Sequence, residues 1–234
     1  MTTPNVSAAC RGDKKVYAIN CSPRKNWNTA KVLESALKGA ADAGAETKLI
    51  HLADLTFSGC SSCFVCKRKD RDSTGMCALN DALTPVLEEV CKGDGLIIGT
   101  PVYFGGESGM CRNLIERLFF PALSYDDFSV SMAQKRFPVA FVYTMNVPEE
   151  MAQKMGYPER FRLLPETAAR LFGDGKPESL FVCDTYQFSD YAKFHAGRFD
   201  VAHKDAVRQT QFPEDCDKAY RLGADIAKRA RSVK

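Results

Sequence analysis

Four cysteines in one short segment have the clearest spacing for chemistry in this sequence. Cys60, Cys63 and Cys66 form a C-x2-C-x2-C run, and Cys77 follows after a gap of ten residues. Iron–sulfur clusters take four thiolates, and two-residue spacers let one loop supply three corners of a cubane. Three alternatives stay open: a 4Fe-4S cluster, a zinc ion, or a reduced cysteine loop without metal. The spacing predicts a candidate metal site at Cys60, Cys63, Cys66 and Cys77.

A group of polar residues lies between a predicted strand and a predicted helix. These residues are Ser22, Arg24, Asn26, Asn28 and Thr29. Backbone N–H groups and the helix dipole hold a phosphate at a helix N-terminus, and hydroxyl, amide and guanidinium groups add hydrogen bonds. The sequence contains no Gly-x-Gly-x-x-Gly or Walker motif. The loop therefore predicts either a phosphate site or an ordinary turn with a polar helix cap.

A later apolar strand opens into aromatic residues and glycines. Its last part and the following loop contain Pro101, Val102, Tyr103, Phe104, Gly105 and Gly106. Aromatic planes can lie beside a flat tricyclic ring, and glycines let backbone N–H groups approach its heteroatoms. Taken alone, the two aromatics suit a protein core equally well. Paired with the phosphate loop on a neighbouring strand, this segment predicts the second end of one FMN site.

Alternating β-rich and amphipathic segments would position these residues. Strands are predicted at 15–21, 47–52, 95–100, 137–143 and 179–183. Helices are predicted at 29–43, 82–91, 109–120 and 158–172, with a last one opening at Pro213. We expect Asp81 to cap the second helix. Strands separated by helices imply right-handed crossovers, so we predict an α/β fold with a three-layer, doubly wound, five-stranded parallel sheet and helices on both faces.

The sequence resembles the flavodoxin-like NAD(P)H-dependent FMN reductases and, within them, the iron–sulfur flavoproteins. The resemblance rests on the loop 22–29, the cysteine run that begins at Cys60, and the segment 99–105, in that order. The chain has Trp27 where family members usually have glycine, and its gap before the fourth cysteine is longer. The resemblance covers roughly the first 145 residues and implies a flavodoxin-like fold with bound FMN.

By position, the resemblance assigns residues to the two ends of FMN. Ser22, Arg24, Asn28 and Thr29 would hold the phosphate. Pro101 through Gly106 would line the isoalloxazine, and Thr144, Met145 and Asn146 would close the far side. The four cysteines would hold the cluster.

Composition excludes several classes of function. The 32 basic and 29 acidic residues give a net charge of +3, too mild for a nucleic-acid-binding face. No window approaches the length of a membrane span, and residues 1–15 lack the apolar core of a secretory signal. We therefore expect a cytoplasmic protein that binds neither nucleic acid nor membrane. Its 234 residues predict one domain, with a cysteine-rich insertion at 57–80 and an irregular excursion at 186–213.

These features predict an FMN-dependent oxidoreductase. Electrons would pass between NAD(P)H or a ferredoxin-type carrier and a small acceptor, with flavin supplying the redox chemistry, and no catalytic residue is assigned. The resemblance also implies a homodimer or homotetramer. The alternative is a non-enzymatic flavin electron carrier or a redox-sensing module with an empty or zinc-bound cysteine loop.

Overall fold

The computed structural model describes residues 14–70 and 75–230. Its strands are β1 (Lys15–Asn20), β2 (Glu46–His51), β3 (Gly95–Tyr103), β4 (Gly106–Glu107), β5 (Val139–Thr144) and β6 (Glu178–Val182). Its α-helices are α1 (Asn28–Asp42), α2 (Thr84–Cys91), α3 (Gly109–Ala122), α4 (Glu149–Lys154), α5 (Tyr157–Arg160), α6 (Leu163–Leu171), α7 (Val201–Gln209) and α8 (Gln211–Arg229). Within these ranges no helix is both long and apolar enough to span a membrane.

Five strands form a parallel sheet in the order β2-β1-β3-β5-β6, and the two-residue β4 pairs antiparallel with β3. This is the flavodoxin-like strand order, in which the chain reverses direction between β1 and β3. Asn20 at the end of β1 pairs with Gly99 of β3. The predicted fold class is confirmed, and the reversal fixes where a ligand cleft can open.

Side chains that alternate along β1 divide the core into two layers. Tyr17 and Ile19 pack on the face covered by α2, α3 and α6, while Val16 and Ala18 pack on the face covered by α1 and α8. Since β3 is buried on both faces over Gly95–Pro101, its near-continuous apolar sequence is that of a central parallel strand.

Two glycines let α1 and α8 pack with their backbones in close contact. A Cβ at Gly39 would lie 1.9 Å from the Tyr220 carbonyl oxygen, and a Cβ at Gly223 would lie 1.7 Å from that of Ala36. No side chain fits at these distances, so both positions require glycine. The contact fixes α8 against the helix whose N-terminus borders the cleft described below.

Several element boundaries differ from the sequence prediction by one to three residues, and the clearest differences are in the helices. Helix α2 begins at Thr84 rather than residue 82, because Asp81 forms a turn instead of a cap: its carboxylate accepts from Leu83 N, and its N–H donates to Thr84 Oγ1. The predicted helix at 158–172 is two helices, α5 and α6, with Pro158 and Pro165 each in a first turn, where proline is tolerated.

The segment predicted to be an irregular excursion contains helix α7, and α8 begins at Gln211 rather than Pro213. Asp200 caps α7 through its carboxylate, which accepts from His203 N at 3.0 Å. An aspartate before a weakly amphipathic helix is a usable start signal, and the sequence prediction missed it. The remainder of 186–200 is a loop with one short 3-10 turn at Tyr191–Lys193.

Candidate functional site

A cleft with about 660 Å³ of empty space opens at the carboxyl ends of β1, β3 and β5, at the reversal point. It is lined by most of the residues predicted to bind FMN: Ser22, Arg24, Asn28, Thr29, Pro101, Val102, Tyr103, Phe104, Thr144 and Asn146. Asn26, Gly105 and Gly106, also predicted, do not line it; Asn26 is exposed on the loop.

The end of the cleft formed by the β1–α1 loop has the features of an anion site. Ser22, Asn28 and Thr29 are buried there, and no side chain caps the N-terminus of α1 within the described residues. The first turn of α1 contains no acidic residue. Because the helix dipole and uncapped N–H groups favour negative charge, this end fits a phosphate. Trp27, where relatives of the predicted family usually have glycine, adopts an ordinary extended conformation with φ −115°.

Segment 184–187 closes the cleft from above, which the sequence prediction missed. Asn28 Nδ2 donates to the Tyr186 carbonyl at 2.8 Å, and Arg24 Nη1 donates to that of Gln187 at 2.8 Å. Met145, predicted together with Thr144 and Asn146, also lines the cleft, and the lining residues that were not predicted are Trp27, Thr185 and Gln187. Thr185 and Gln187 follow β6, and they reach the cleft only through the packing of distant parts of the chain, which no local sequence pattern encodes.

A tight hairpin between β3 and β4 forms the opposite end. Phe104 and Gly105 are its two central residues, with φ +50° and +74°, as a type I′ turn requires. Phenylalanine is rarely left-handed, and the Phe104 side chain is fully exposed. Strained backbone of this kind clusters at ligand sites. The turn places Tyr103 and Phe104 at the cleft mouth, where an aromatic ring system can lie against them.

A buried ion pair supports the third wall, the loop after β5. Lys204 on α7 contacts the Asp184 carboxylate and donates to the Asn146 carbonyl at 2.8 Å. Burial would raise the pKa of Asp184, but hydrogen bonds from Lys204 and His203 outweigh it and lower that pKa. Asp184 itself is left-handed, with φ +57°. The pair therefore fixes Asn146 at the cleft from a helix more than 50 residues away in sequence.

The four cysteines of the predicted metal site line one small pocket beside α3. Ser62 and Phe64, between the cysteines, are both left-handed, with φ 54° and 55°. These two bends turn the C-x2-C-x2-C run around the pocket. Among the described residues, no three His, Cys, Asp or Glu side chains form a group that could hold a single metal ion.

One face of α3 anchors the cysteine segment. Glu116 accepts from the Cys60 N–H at 3.0 Å, and Arg117 Nε donates to Cys77 Sγ at 3.0 Å. Lys67 Nζ reaches the carbonyls of Phe120, Pro121 and Leu123 at the C-terminal end of the helix. Because a lysine ammonium interacts favourably with the negative end of the helix dipole, the contact stabilises both the helix and the loop.

The thiols of the segment differ in environment. Hydrogen bonds, first from the backbone of Val65, lower the pKa of the exposed Cys63 thiol. Burial raises the pKa of the Cys66 thiol, which Lys67 partly offsets. Four thiols around one pocket, with Arg117 and Lys67 close by, form a donor set and a charge balance that fit an anionic iron–sulfur cluster.

A family model described as NADPH-dependent FMN reductase matches residues 14–150, more than half of the chain. The chain belongs to the NADPH-dependent FMN reductase family. The family predicted from sequence is thereby confirmed, and membership supports FMN as the cofactor of the cleft.

Curated relatives of this family member match over a little less than half of its length. An iron-sulfur flavoprotein of Methanocaldococcus jannaschii is 38% identical over 103 residues, 44% of this chain and 51% of that protein. An iron-sulfur flavoprotein of Archaeoglobus fulgidus is also 38% identical over 103 residues, 44% of this chain and 48% of that protein. The chain thus spans about half the length of the curated relatives it matches.

Solved structures share the fold over nearly the whole chain. A NAD(P)H:quinone oxidoreductase from Methanothermobacter marburgensis has a TM-score of 0.62 at 15% identity, covering 92% of this chain and 99% of that one. An azoreductase from Bacillus anthracis str. Sterne has a TM-score of 0.58 at 8% identity, covering 91% and 99%. At these identities the likeness establishes the flavodoxin-like fold.

Proposed function

We propose that this chain is an FMN-dependent oxidoreductase with a 4Fe-4S cluster. It would transfer electrons between NAD(P)H, or a ferredoxin-type carrier, and a small-molecule acceptor. The observation that carries the proposal is the cleft at the β1/β3 reversal, which joins an uncapped helix N-terminus to an exposed aromatic turn. Family membership and the iron–sulfur relatives agree with it.

The chain's own residues would bind and orient the flavin. Ser22, Asn28 and Thr29, with the N–H groups of the first α1 turn, would hold the phosphate, and Arg24 would add charge. Arg24 and Asn28 now bond to segment 186–187, so we propose that this segment also closes over the bound phosphate. Tyr103 and Phe104 would flank the ring system, opposite Thr144 and Asn146. Flavin supplies hydride and single-electron transfer when bound.

Cys60, Cys63, Cys66 and Cys77 would ligate the cluster. The supporting observation is that all four line one pocket beside α3. That helix begins at the floor of the flavin cleft, where Ser108 Oγ donates to the Cys21 carbonyl at 2.8 Å. Arg117 lies nine residues further, about 14 Å along the axis at 1.5 Å per residue. One rigid helix therefore connects the two sites.

The first experiment is the visible spectrum of protein purified without oxygen, with FMN, iron and acid-labile sulfide assayed on the same sample. We expect flavin bands with a broad brown shoulder and about four irons per chain. Flavin bands without iron would overturn the cluster and leave the flavoprotein. A colourless protein that takes up no added FMN would overturn the whole proposal.

Steady-state oxidation of NADPH and NADH, with a quinone or free flavin as acceptor, separates an enzyme from an electron carrier. We expect turnover over many equivalents of FMN. NAD(P)H oxidation that stops at one equivalent per FMN would instead indicate an electron carrier. The same preparation gives the oligomeric state by light scattering, where we propose a homodimer or homotetramer.

A second candidate function is a redox-responsive thiol loop without metal. It is favoured by Cys63, which is exposed and has a lowered pKa, the two properties of a reactive cysteine. In that case the iron-free protein would form a disulfide within the segment upon mild oxidation, detected by mass spectrometry. A protein that keeps its iron through the same oxidation would exclude this candidate.

A further inference from the structure

Arg117 is the largest fully buried side chain of the described residues, with 1% exposure, and every N–H of its guanidinium has a partner. Nε donates to Cys77 Sγ at 3.0 Å. Nη1 donates to the Ser58 carbonyl at 3.1 Å and to Asp81 Oδ2 at 2.8 Å. Nη2 donates to the Leu79 carbonyl at 3.0 Å and to Asp81 Oδ1 at 3.2 Å. All five donors are thus used.

These partners lie on both sides of the cysteine run. Ser58 precedes Cys60, while Cys77, Leu79 and Asp81 follow the gap after Cys66. One side chain on α3 therefore joins the two ends of the segment. In addition, Ser58 N donates to Asp81 Oδ2 at 3.2 Å, so the ends also bond to each other through the same carboxylate.

We propose that Arg117 is the positioning residue of the cysteine site: it holds Cys77 and both ends of segment 58–81 in place, and its donated hydrogen bond raises the cluster's reduction potential. The inference rests on the proposed cluster for its second half only. The first half concerns contacts within the protein and can be tested without iron.

The physical reason is electrostatic. A buried guanidinium needs an anionic partner and acceptors for its N–H groups; Asp81 supplies the charge, and the Cys77 sulfur is one of the acceptors. Reduction adds negative charge to the cluster, and a cation that donates to a ligand sulfur stabilises the reduced state. Lysine cannot reproduce the arrangement, because its three donors radiate from one atom and cannot reach a sulfur, a bidentate carboxylate and two carbonyls together.

The test compares Arg117→Gln and Arg117→Lys with Arg112→Gln as matched control. Arg112 lies on the same helix and has the same charge, but it is exposed and pairs with Glu107 at 3.5 Å, away from the cysteines. FMN content and circular dichroism establish that each variant is folded. The readouts are the cluster potential from an EPR-monitored titration, iron loss to a chelator, and tryptic cleavage after Arg68 and Lys69 in iron-free protein.

We expect a more negative cluster potential in Arg117→Gln, with iron loss and tryptic cleavage each about tenfold faster than in wild type. Arg117→Lys keeps the charge, so its cluster potential should lie between those of Arg117→Gln and wild type. Its resistance to trypsin should recover less than its potential does. Arg112→Gln should match wild type. If Arg117→Gln does not fold, the same measurements on Arg117→Lys test the proposal.

A folded Arg117→Gln protein with wild-type potential and iron loss would overturn the potential claim while leaving the proposed cluster intact. Wild-type protein that takes up no iron after anaerobic reconstitution would overturn the cluster and the potential claim together. Tryptic cleavage then decides the anchoring claim: faster cleavage of iron-free Arg117→Gln supports it, and unchanged cleavage overturns it.

Discussion

The flavin cleft and the cysteine segment are held together by different means. The cleft lies at strand ends of the sheet, and its proposed phosphate site consists of backbone N–H groups at the uncapped N-terminus of α1. In its described residues, 58–70 and 75–81, the cysteine segment contains little regular structure beyond a short 3-10 turn at Val65–Lys67. It is fixed instead by side chains of α3, above all Arg117, and by Lys67 on the helix end.

The comparison indicates that the two sites differ in what their geometry depends upon. Because the cleft is formed by the scaffold, single side-chain changes there should weaken binding without removing the site. The cysteine site depends on a few polar contacts, and losing one of them should release the whole segment. The two sites share α3 but no lining residue, so each should be removable without the other.

The largest effect is expected from Cys63→Ser, which tests this independence. Serine cannot supply a thiolate, so iron should fall from about four per chain to near zero, while FMN content stays at the wild-type level. Cys63 is exposed, so its loss costs no core packing. Cys216→Ser, a partly buried thiol on α8, is the control and should keep its iron. Loss of FMN along with the iron would contradict independent sites.

Lys204→Met should damage the cleft alone. Removing the ammonium leaves the Asp184 carboxylate half-enclosed without its main partner, which should lower the free energy of unfolding by about 3 kcal/mol. The Asn146 wall would lose its anchor, so FMN affinity should fall as well. Urea denaturation and FMN titration measure both effects, and iron per chain should not change.

Lys193→Met is the control for Lys204→Met, since Lys193 is exposed and pairs with Asp190 at 3.3 Å. It should leave unfolding and FMN affinity within error of wild type. An equal loss of stability in both variants would show that the buried pair contributes no more than an exposed one.

Thr29→Val should have a smaller effect on the cleft. The Thr29 hydroxyl shares a 2.7 Å hydrogen bond with that of Thr144, and valine leaves the buried Thr144 hydroxyl without it. We expect FMN to bind about tenfold more weakly, equivalent to about 1.4 kcal/mol, as measured by fluorescence titration. Thr47→Val on the edge strand β2 is the matched control. An unchanged dissociation constant would exclude Thr29 from the phosphate site.

The smallest effect is a pH dependence of the cysteine segment. The hydrogen bond from Arg117 lowers the pKa of Asp81 below its ordinary value. Asp81 therefore stabilises the folded segment above about pH 4, the unfolded pKa, and this contribution is lost as pH falls through the folded value. Hydrogen exchange of amides in 58–81, corrected for the intrinsic rate, should accelerate severalfold on acidification to pH 3.

Asp81→Asn sharpens the pH prediction. Exchange in this variant should already be faster at pH 6 and should respond less to acidification. Amides of α1 serve as the internal reference for the cleft side. If the wild-type segment keeps its protection through pH 3, the Asp81–Arg117 contact does not hold it.

The sequence alone determined the parallel sheet, because buried central strands are apolar throughout and the helices between them have a clear amphipathic period. It also determined which loops border the cleft, since β1 and β3 must end at the same edge of a parallel sheet. The C-x2-C-x2-C run marked the cysteine site through its spacing. The start of α2 was wrong because local pattern does not distinguish the turn that Asp81 forms from a helix cap, whereas α7 was missed although Asp200 before it is a usable start signal.

Only the tertiary structure decided how these sites are held. Arg117 reads in sequence as one more polar position on an amphipathic helix, yet it is buried and donates five hydrogen bonds to four residues, all at the two ends of a distant segment. Lys204 lies on α7 and segment 184–187 follows β6, and both come to the cleft only through tertiary packing. Local sequence specifies backbone conformation and the chemistry of each side chain. A cation needs an anionic partner only when it is buried away from water. The packing of the whole chain decides whether it is buried and which distant charge it then meets.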